Sequence, residues 1–268
     1  LLRPGAVGVD LGAGTGILGL LALKAGAARV YAIEKHPIHK LGRWLARENG
    51  VADRLRFVTA DIRRARIPER VDWIVSDLVG LLGADPEMSE LIVSSRRFLK
   101  PGGGFLPGRS RVWAGLVRAP GLFARHVRPG RGLGVSLGAF HKIAAHRVGR
   151  MASVPRRWAS APQAVFEFDF ARDRKVYPRR ANLAFRAASR GAVHGMAVRS
   201  ESLLMPGLRL ESRTGSWRRP VYLPLERPLT LAEGERVEAE LVLHDAVTVE
   251  WRVGGESHCT LIPGVVNG

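Results

Sequence analysis

Short apolar runs at residues 6–11, 29–34, 56–60 and 71–76 are separated by stretches with helical spacing of apolar positions, at 16–25, 36–49 and 88–99. That alternation of buried strand and amphipathic helix predicts an α/β fold, with a Rossmann-like parallel sheet and crossover helices over residues 1–108. Glu48-Asn49-Gly50 gives the second helix its stop, and Lys100-Pro101-Gly102-Gly103-Gly104 reads as the terminator of the third. After Pro107-Gly108 the helical period weakens and period-two alternation takes over, at 165–170, 237–243 and 247–253. Turn signals at Gly191, Pro206-Gly207, 232–234 and Gly254-Gly255 separate these runs, which predicts a β-barrel-like domain over 109–268. Residues 122–158 fit neither pattern; Gly- and Arg-rich, they read as a loop or as an arm that orders only against a partner. Such an arm needs a partner surface to bury Leu133, Val135, Leu137 and Phe140.

Composition changes this picture little. With 268 residues, 46% apolar and 25% charged, the chain reads as two folded domains, and no apolar run approaches the ~18–20 residues of a membrane span. A single cysteine, Cys259, excludes an internal disulfide framework and a multi-cysteine zinc site, so a reducing compartment, the cytoplasm, is expected. The eight histidines show no ligand spacing, and no metal is expected. The chain opens Leu1-Leu2-Arg3-Pro4-Gly5, without an initiator methionine, and reads as N-terminally truncated. Charge is the outlying property: the net value is +18, and arginine supplies 36 of the 42 basic residues. Residues 1–108 carry +5 of this and the remainder +13. A surface for nucleic acid or acidic substrates is one reading. An arginine-for-lysine bias spread over solvated faces is the other, and it is favoured because the arginines are scattered as pairs.

The chemistry is concentrated at strand ends. Asp10-Leu11-Gly12-Ala13-Gly14-Thr15-Gly16 places a glycine-rich turn between the first strand and the first helix, where backbone can approach a ligand beside a helix N-terminus. Ile17 stands where the dinucleotide fingerprint needs glycine, which disfavours a nicotinamide cofactor. The Gly12, Gly14, Gly16 spacing resembles motif I of the class I methyltransferases that use S-adenosylmethionine. Glu34 ends the second strand, 24 residues after Asp10, where a carboxylate can accept both ribose hydroxyls, with Lys35 beside it. Asp61, beyond the third strand, is placed to accept the adenine amino group, with the Ile62 backbone against the ring edge.

The loop Ser76-Asp77-Leu78-Val79-Gly80, running on through Asp85, Glu87 and Glu90, resembles the double-glutamate loop of the protein arginine methyltransferases, whose two carboxylates clamp the target guanidinium. A guanidinium stays protonated, with a pKa of roughly 12 or more, and its planar fork is best met by two carboxylates. Val30-Tyr31-Ala32-Ile33-Glu34-Lys35-His36-Pro37 and Phe98-Leu99-Lys100-Pro101 are similar to that family's symmetric-dimethylating (type II) branch, as is Gly215-Ser216-Trp217 to its substrate-lining loop. The resemblance implies S-adenosylmethionine as cofactor, a protein or peptide substrate, a homodimer, Asp77 and Glu87 as the acceptor clamp, and Ser216 and Trp217 along the approach. The sequence departs from the family in having Asp77 where glutamate is usual, and Glu87 aligns only with one inserted residue, which leaves Asp85 and Glu90 as competitors. Two other readings stay open: the same fold acting on nucleic acid or a small molecule, and a catalytically weak homologue that serves as a scaffold.

Overall fold

The computed structural model describes residues 3–77, 86–127, 134–135, 137–155, 157–173, 178–205, 207–211, 219–244 and 248–260, with only the backbone of 86–89. The first part runs β1 (Val7–Leu11), α1 (Ile17–Lys24), β2 (Arg29–Ile33), α2 (His39–Glu48), β3 (Leu55–Val58), β4 (Val71–Val75), α3 (Pro86–Ser95), a 3₁₀ turn (Arg96–Phe98) and β5 (Leu99–Leu106). These five strands form one parallel sheet in the order β3-β2-β1-β4-β5. Val9, Val30, Ile33, Val71 and Ile74 are fully buried, which is why their sequences read as continuous apolar runs rather than as alternation. Chain order reverses between β1 and β4, and in open α/β sheets that switch point leaves a crevice beyond the carboxyl ends of the strands. Trp73 on β4 lies flat across β1 at Gly8, where any Cβ would come within 2.2 Å of the indole.

The segment read as a terminator, Lys100 to Gly104, is part of β5. Proline and glycine weaken a strand signal, but β5 is the edge of the sheet, where a missing N–H is tolerated. Its register against β4 slips between Val71 and Trp73.

The second part contains β6 (Arg109–Val117), α4 (Pro120–His126), α5 (Gly138–Ala145), β7 (Gly149–Arg150), β8 (Gln163–Asp169), β9 (Arg179–Arg186), β10 (Gly191–Met205), β11 (Leu208–Glu211), β12 (Val221–Leu231), β13 (Arg236–Leu243), β14 (Val249–Val253) and β15 (Glu256–Cys259). One antiparallel sheet has the order β7-β12-β10-β6-β8, with β11 paired to β10, and a second has the order β15-β14-β13-β9. Phe166, Phe168, Phe185, Leu223 and Trp251 fill the space they enclose. The same apolar cluster takes in Leu11 and Ile33 of the parallel sheet and Leu91, Ile92 and Phe98 from α3 and the 3₁₀ turn, so α3 packs into both parts.

Within 122–158, read as an unpatterned loop or arm, the structure has α4, α5 and β7. Phe123, Val127 and Ala145 make a small core of their own beneath these helices. The helices are only seven and eight residues long, about two turns each, which hid their periodicity. Val135 and Phe140 do stand exposed, at 67% and 50%, while Leu133 lies outside the described residues.

Candidate functional site

The glycine-rich turn after β1 is stitched to β2 by the N–H groups of Gly12 and Ala13, which both donate to the Ile33 carbonyl at 3.0 Å. Gly12, Gly14 and Gly16 all have positive φ, so the chain turns sharply and delivers Gly16 as the N-cap of α1. Glu34, buried at the end of β2, closes the turn from below: its Oε2 accepts the Gly14 N–H at 2.8 Å and its Oε1 the His36 N–H at 2.7 Å. A carboxylate oxygen has two lone pairs, so each keeps one direction for a hydroxyl donor.

Asp10 supports the turn from within the fold, its Oδ2 accepting the Gly19 N–H of α1 at 3.0 Å. Burial pushes its carboxyl up to about 7, opposed by that hydrogen bond and reinforced by the charges of Asp77 and Glu34. Three acids therefore gather where β1, β2 and β4 end. Ser76, just before Asp77, donates its hydroxyl to the Leu11 carbonyl at 2.9 Å and ties the ends of β1 and β4 together. Asp77 is exposed and Lys35 is exposed beside Glu34. This local negative pole is set in a chain of net charge +18 and suits a cationic ligand.

Asp61 follows β3 and is engaged by its neighbour Arg63, whose Nε and terminal nitrogen meet the two carboxylate oxygens at 2.9 and 2.8 Å. Those hydrogen bonds hold its carboxyl well below the usual carboxylate range. Any adenine amino group would use lone pairs that Arg63 leaves open. The Ile62 side chain is core, and its carbonyl accepts from Arg97 at 2.6 Å. Neither arginine was singled out from the sequence: Arg63 had only its spacing of two from Asp61 to mark it, and Arg97 had none.

Glu87 lies in the first turn of α3, and Glu90 is exposed one turn on. Asp85, Ser216 and Trp217 lie outside the described residues. Asp10, Gly12, Gly14, Gly16, Glu34 and Asp77 are thus brought to one crevice, with Asp61 and Ile62 at the end of the neighbouring strand.

Residues 9–103 match the family described as methyltransferase domain. The chain is 35% identical over 116 residues to protein arginine N-methyltransferase PRMT10 of Oryza sativa subsp. japonica, covering 43% of this chain and 30% of that protein. It is 38% identical over 106 residues to protein arginine N-methyltransferase 6 of Xenopus laevis, covering 39% of this chain and 31% of that protein. The aligned region spans about a third of the length of these relatives. Among solved structures, the Trypanosoma brucei PRMT1 enzyme-prozyme heterotetrameric complex with AdoHcy superposes with a TM-score of 0.84 at 20% identity, covering 97% of this chain and 90% of that one. The fold is therefore a Rossmann-like parallel sheet, matching a methyltransferase domain at residues 9–103, followed by β-barrel-like antiparallel sheets, and over about two fifths of its length the chain is similar to protein arginine methyltransferases.

Proposed function

We propose that this chain binds S-adenosylmethionine at the carboxyl edge of its parallel sheet, and that the protein carrying it methylates a guanidinium nitrogen of arginine in a protein or peptide. The observation that carries the reading is Glu34, a buried carboxylate that bridges the glycine turn and the end of β2 with one lone pair on each oxygen to spare. The residues fit the group: Glu34 for the ribose diol, Gly12, Gly14 and Gly16 for close backbone approach, Asp61 and Ile62 for the adenine edge, and Lys35 at the rim. Asp10 stabilises the turn. When bound, the cofactor supplies a methyl group on a sulfonium sulfur, and the N–CH₃ bond forms as the S–CH₃ bond breaks and the guanidinium releases one proton.

Asp77 and Glu87 hold the acceptor guanidinium and fix its reactive nitrogen, with Ser216 and Trp217 lining the approach. Positioning and charge localisation are their contribution. Glu87→Gln is expected to leave cofactor affinity nearly unchanged and to lower kcat on an arginine peptide by roughly a hundredfold or more, since only the acceptor interaction is lost. Normal turnover by that variant removes Glu87 from the clamp and moves the test to Asp85 and Glu90. Symmetric dimethylarginine is the product expected from the type II resemblance, and fragment ions of the methylated peptide distinguish it from the asymmetric form.

The same reading includes a homodimer. Ile17 and Leu21 on α1, Trp44 on α2, and Phe140 and Ile143 on α5 are large apolar side chains exposed by 41–59%. Two apolar faces of this kind on one chain suit a head-to-tail pair in which the α5 region of each copy covers α1 and α2 of the other. Light scattering should report twice the chain mass at tens of micromolar and the single mass for Phe140→Asp with Ile143→Asp. A monomeric wild-type chain removes the dimer from the proposal.

A further inference from the structure

Two consecutive arginines in the 3₁₀ turn that continues α3 reach in different directions. Arg96 reaches the barrel, its Nε donating to the Phe170 carbonyl at 2.9 Å and its terminal nitrogen to the Asp173 carbonyl at 2.7 Å. The turn it grips is itself held, since Asp169 accepts the N–H groups of Ala171 and Arg172, and Arg179 pairs with Asp173 at 2.7 Å. Arg97 reaches the sheet. One terminal nitrogen donates to the carbonyls of Ile62 at 2.6 Å and Ala65 at 3.1 Å, and the other to the Ser94 carbonyl at 2.5 Å. Its guanidinium lies 4.2 Å from the centre of the Phe98 ring.

Ile62 and Ala65 belong to the turn that Asp61 begins, closed by N–H bonds from Arg64 and Ala65 to the Asp61 carbonyl at 2.9 and 2.8 Å. We propose that Arg97 is a positioning residue that ties this adenine-side turn to α3, so that the seat of the cofactor and the placement of Glu87 are set together. The inference rests on the proposed S-adenosylmethionine reading. Glu87 and Arg97 lie at opposite ends of one helical segment, about 15 Å apart at 1.5 Å per residue. A packed helix of that length moves as a unit, so a shift where Arg97 holds it is carried to Glu87. A misplacement of about 1 Å at a reacting group is enough to cost roughly a hundredfold in rate. The fork of arginine suits the task, because its two terminal nitrogens reach three carbonyls while its face covers Phe98; the compact ammonium of lysine cannot reproduce that geometry.

Calorimetry with S-adenosylhomocysteine and with adenosine, beside peptide turnover, tests this on the whole chain carrying Arg97→Lys or Arg96→Lys. Arg97→Lys keeps the charge and most of the packing on Phe98, so it should remain folded, with circular dichroism and melting close to wild type. It should bind both ligands weaker by the same factor, roughly fivefold, the order expected for one poorly placed hydrogen bond. Its kcat should fall by about tenfold or more through the displaced helix. Arg96→Lys, which touches no part of the adenine-side turn, should leave both affinities unchanged. Wild-type affinities and kcat for Arg97→Lys, or an equal loss of affinity in both variants, would overturn the coupling. A wild-type chain that binds neither ligand removes the proposed cofactor and this inference with it, whereas wild-type binding beside an unaffected Arg97→Lys overturns the inference alone.

Discussion

Asp10 shows how one buried side chain can set a pH dependence. Its carboxyl titrates at an ordinary 3.8 in the unfolded chain and at about 7 when folded, chiefly because burial disfavours the charge. The folded state therefore holds a proton over a range in which the unfolded state has lost it. The stabilisation is complete below 3.8 and is lost as pH rises through about 7. His258 works in the opposite sense: buried against Trp251 and next to His146, it is pushed down to about 4 from 6.5, so its contribution is present above 6.5 and is lost as pH falls through about 4. Asp10→Asn keeps an oxygen for the Gly19 N–H and removes the titration. Its melting temperature should fall less than that of wild type between roughly pH 5 and 8, with the His258 effect common to both proteins and cancelling in the difference. Parallel pH profiles for the two would show that Asp10 does not titrate in that range.

At the scale of elements, α1 depends on a residue that carries no side chain. Gly16 caps it at φ 76°, no side-chain cap assists, and an added Cβ would lie 2.7 Å from Cζ of Phe57. Gly14, at φ 55°, has open space around its Cβ position. Gly14→Ala thus meets only the left-handed backbone cost, about 1–2 kcal/mol, whereas Gly16→Ala adds displacement of the β3 residue Phe57 from its seat between Gly16 and Gly42 of α2. Urea midpoints should rank wild type, Gly14→Ala, Gly16→Ala in falling order, and a reversed order of the two variants would contradict the packing account. This turn was legible in the sequence because glycine spacing records backbone conformation directly. The first four strands were legible too, since a strand buried on both faces is a run of apolar residues. Strand β5 was not, because an edge strand tolerates the Pro101 and glycines that spell a loop. Helices α4 and α5 were hidden by their shortness, seven and eight residues, which leaves too few turns for a period to show. The acids at strand ends could be found from strand length alone, but the grip of Arg97 could not, since its acceptors are main-chain carbonyls 35 and 32 residues away.

The charge of the whole molecule opposes the chemistry proposed for its site. At +18, with +13 of that beyond residue 108, the chain repels an arginine-rich peptide at long range, while Glu34 and Asp77 make the crevice negative at short range. Salt separates the two, because screening shortens the reach of the field from about 30 Å at 0.01 M to about 8 Å at 0.15 M and acts far less inside a crevice. Over that range kcat/KM for a cationic arginine peptide should rise several-fold, with kcat almost constant, since encounter is relieved of repulsion and the bound state is little altered. A peptide with the same arginine between acidic flanks should show the opposite slope, as its attraction to the basic surface is screened. If salt instead slows the cationic peptide, the acidic crevice governs encounter, and the basic surface has no part in selecting the acceptor. If it slows only the acid-flanked one and raises the other, substrates are chosen first by the acidity of what surrounds the arginine, and only then by the guanidinium that the carboxylates hold.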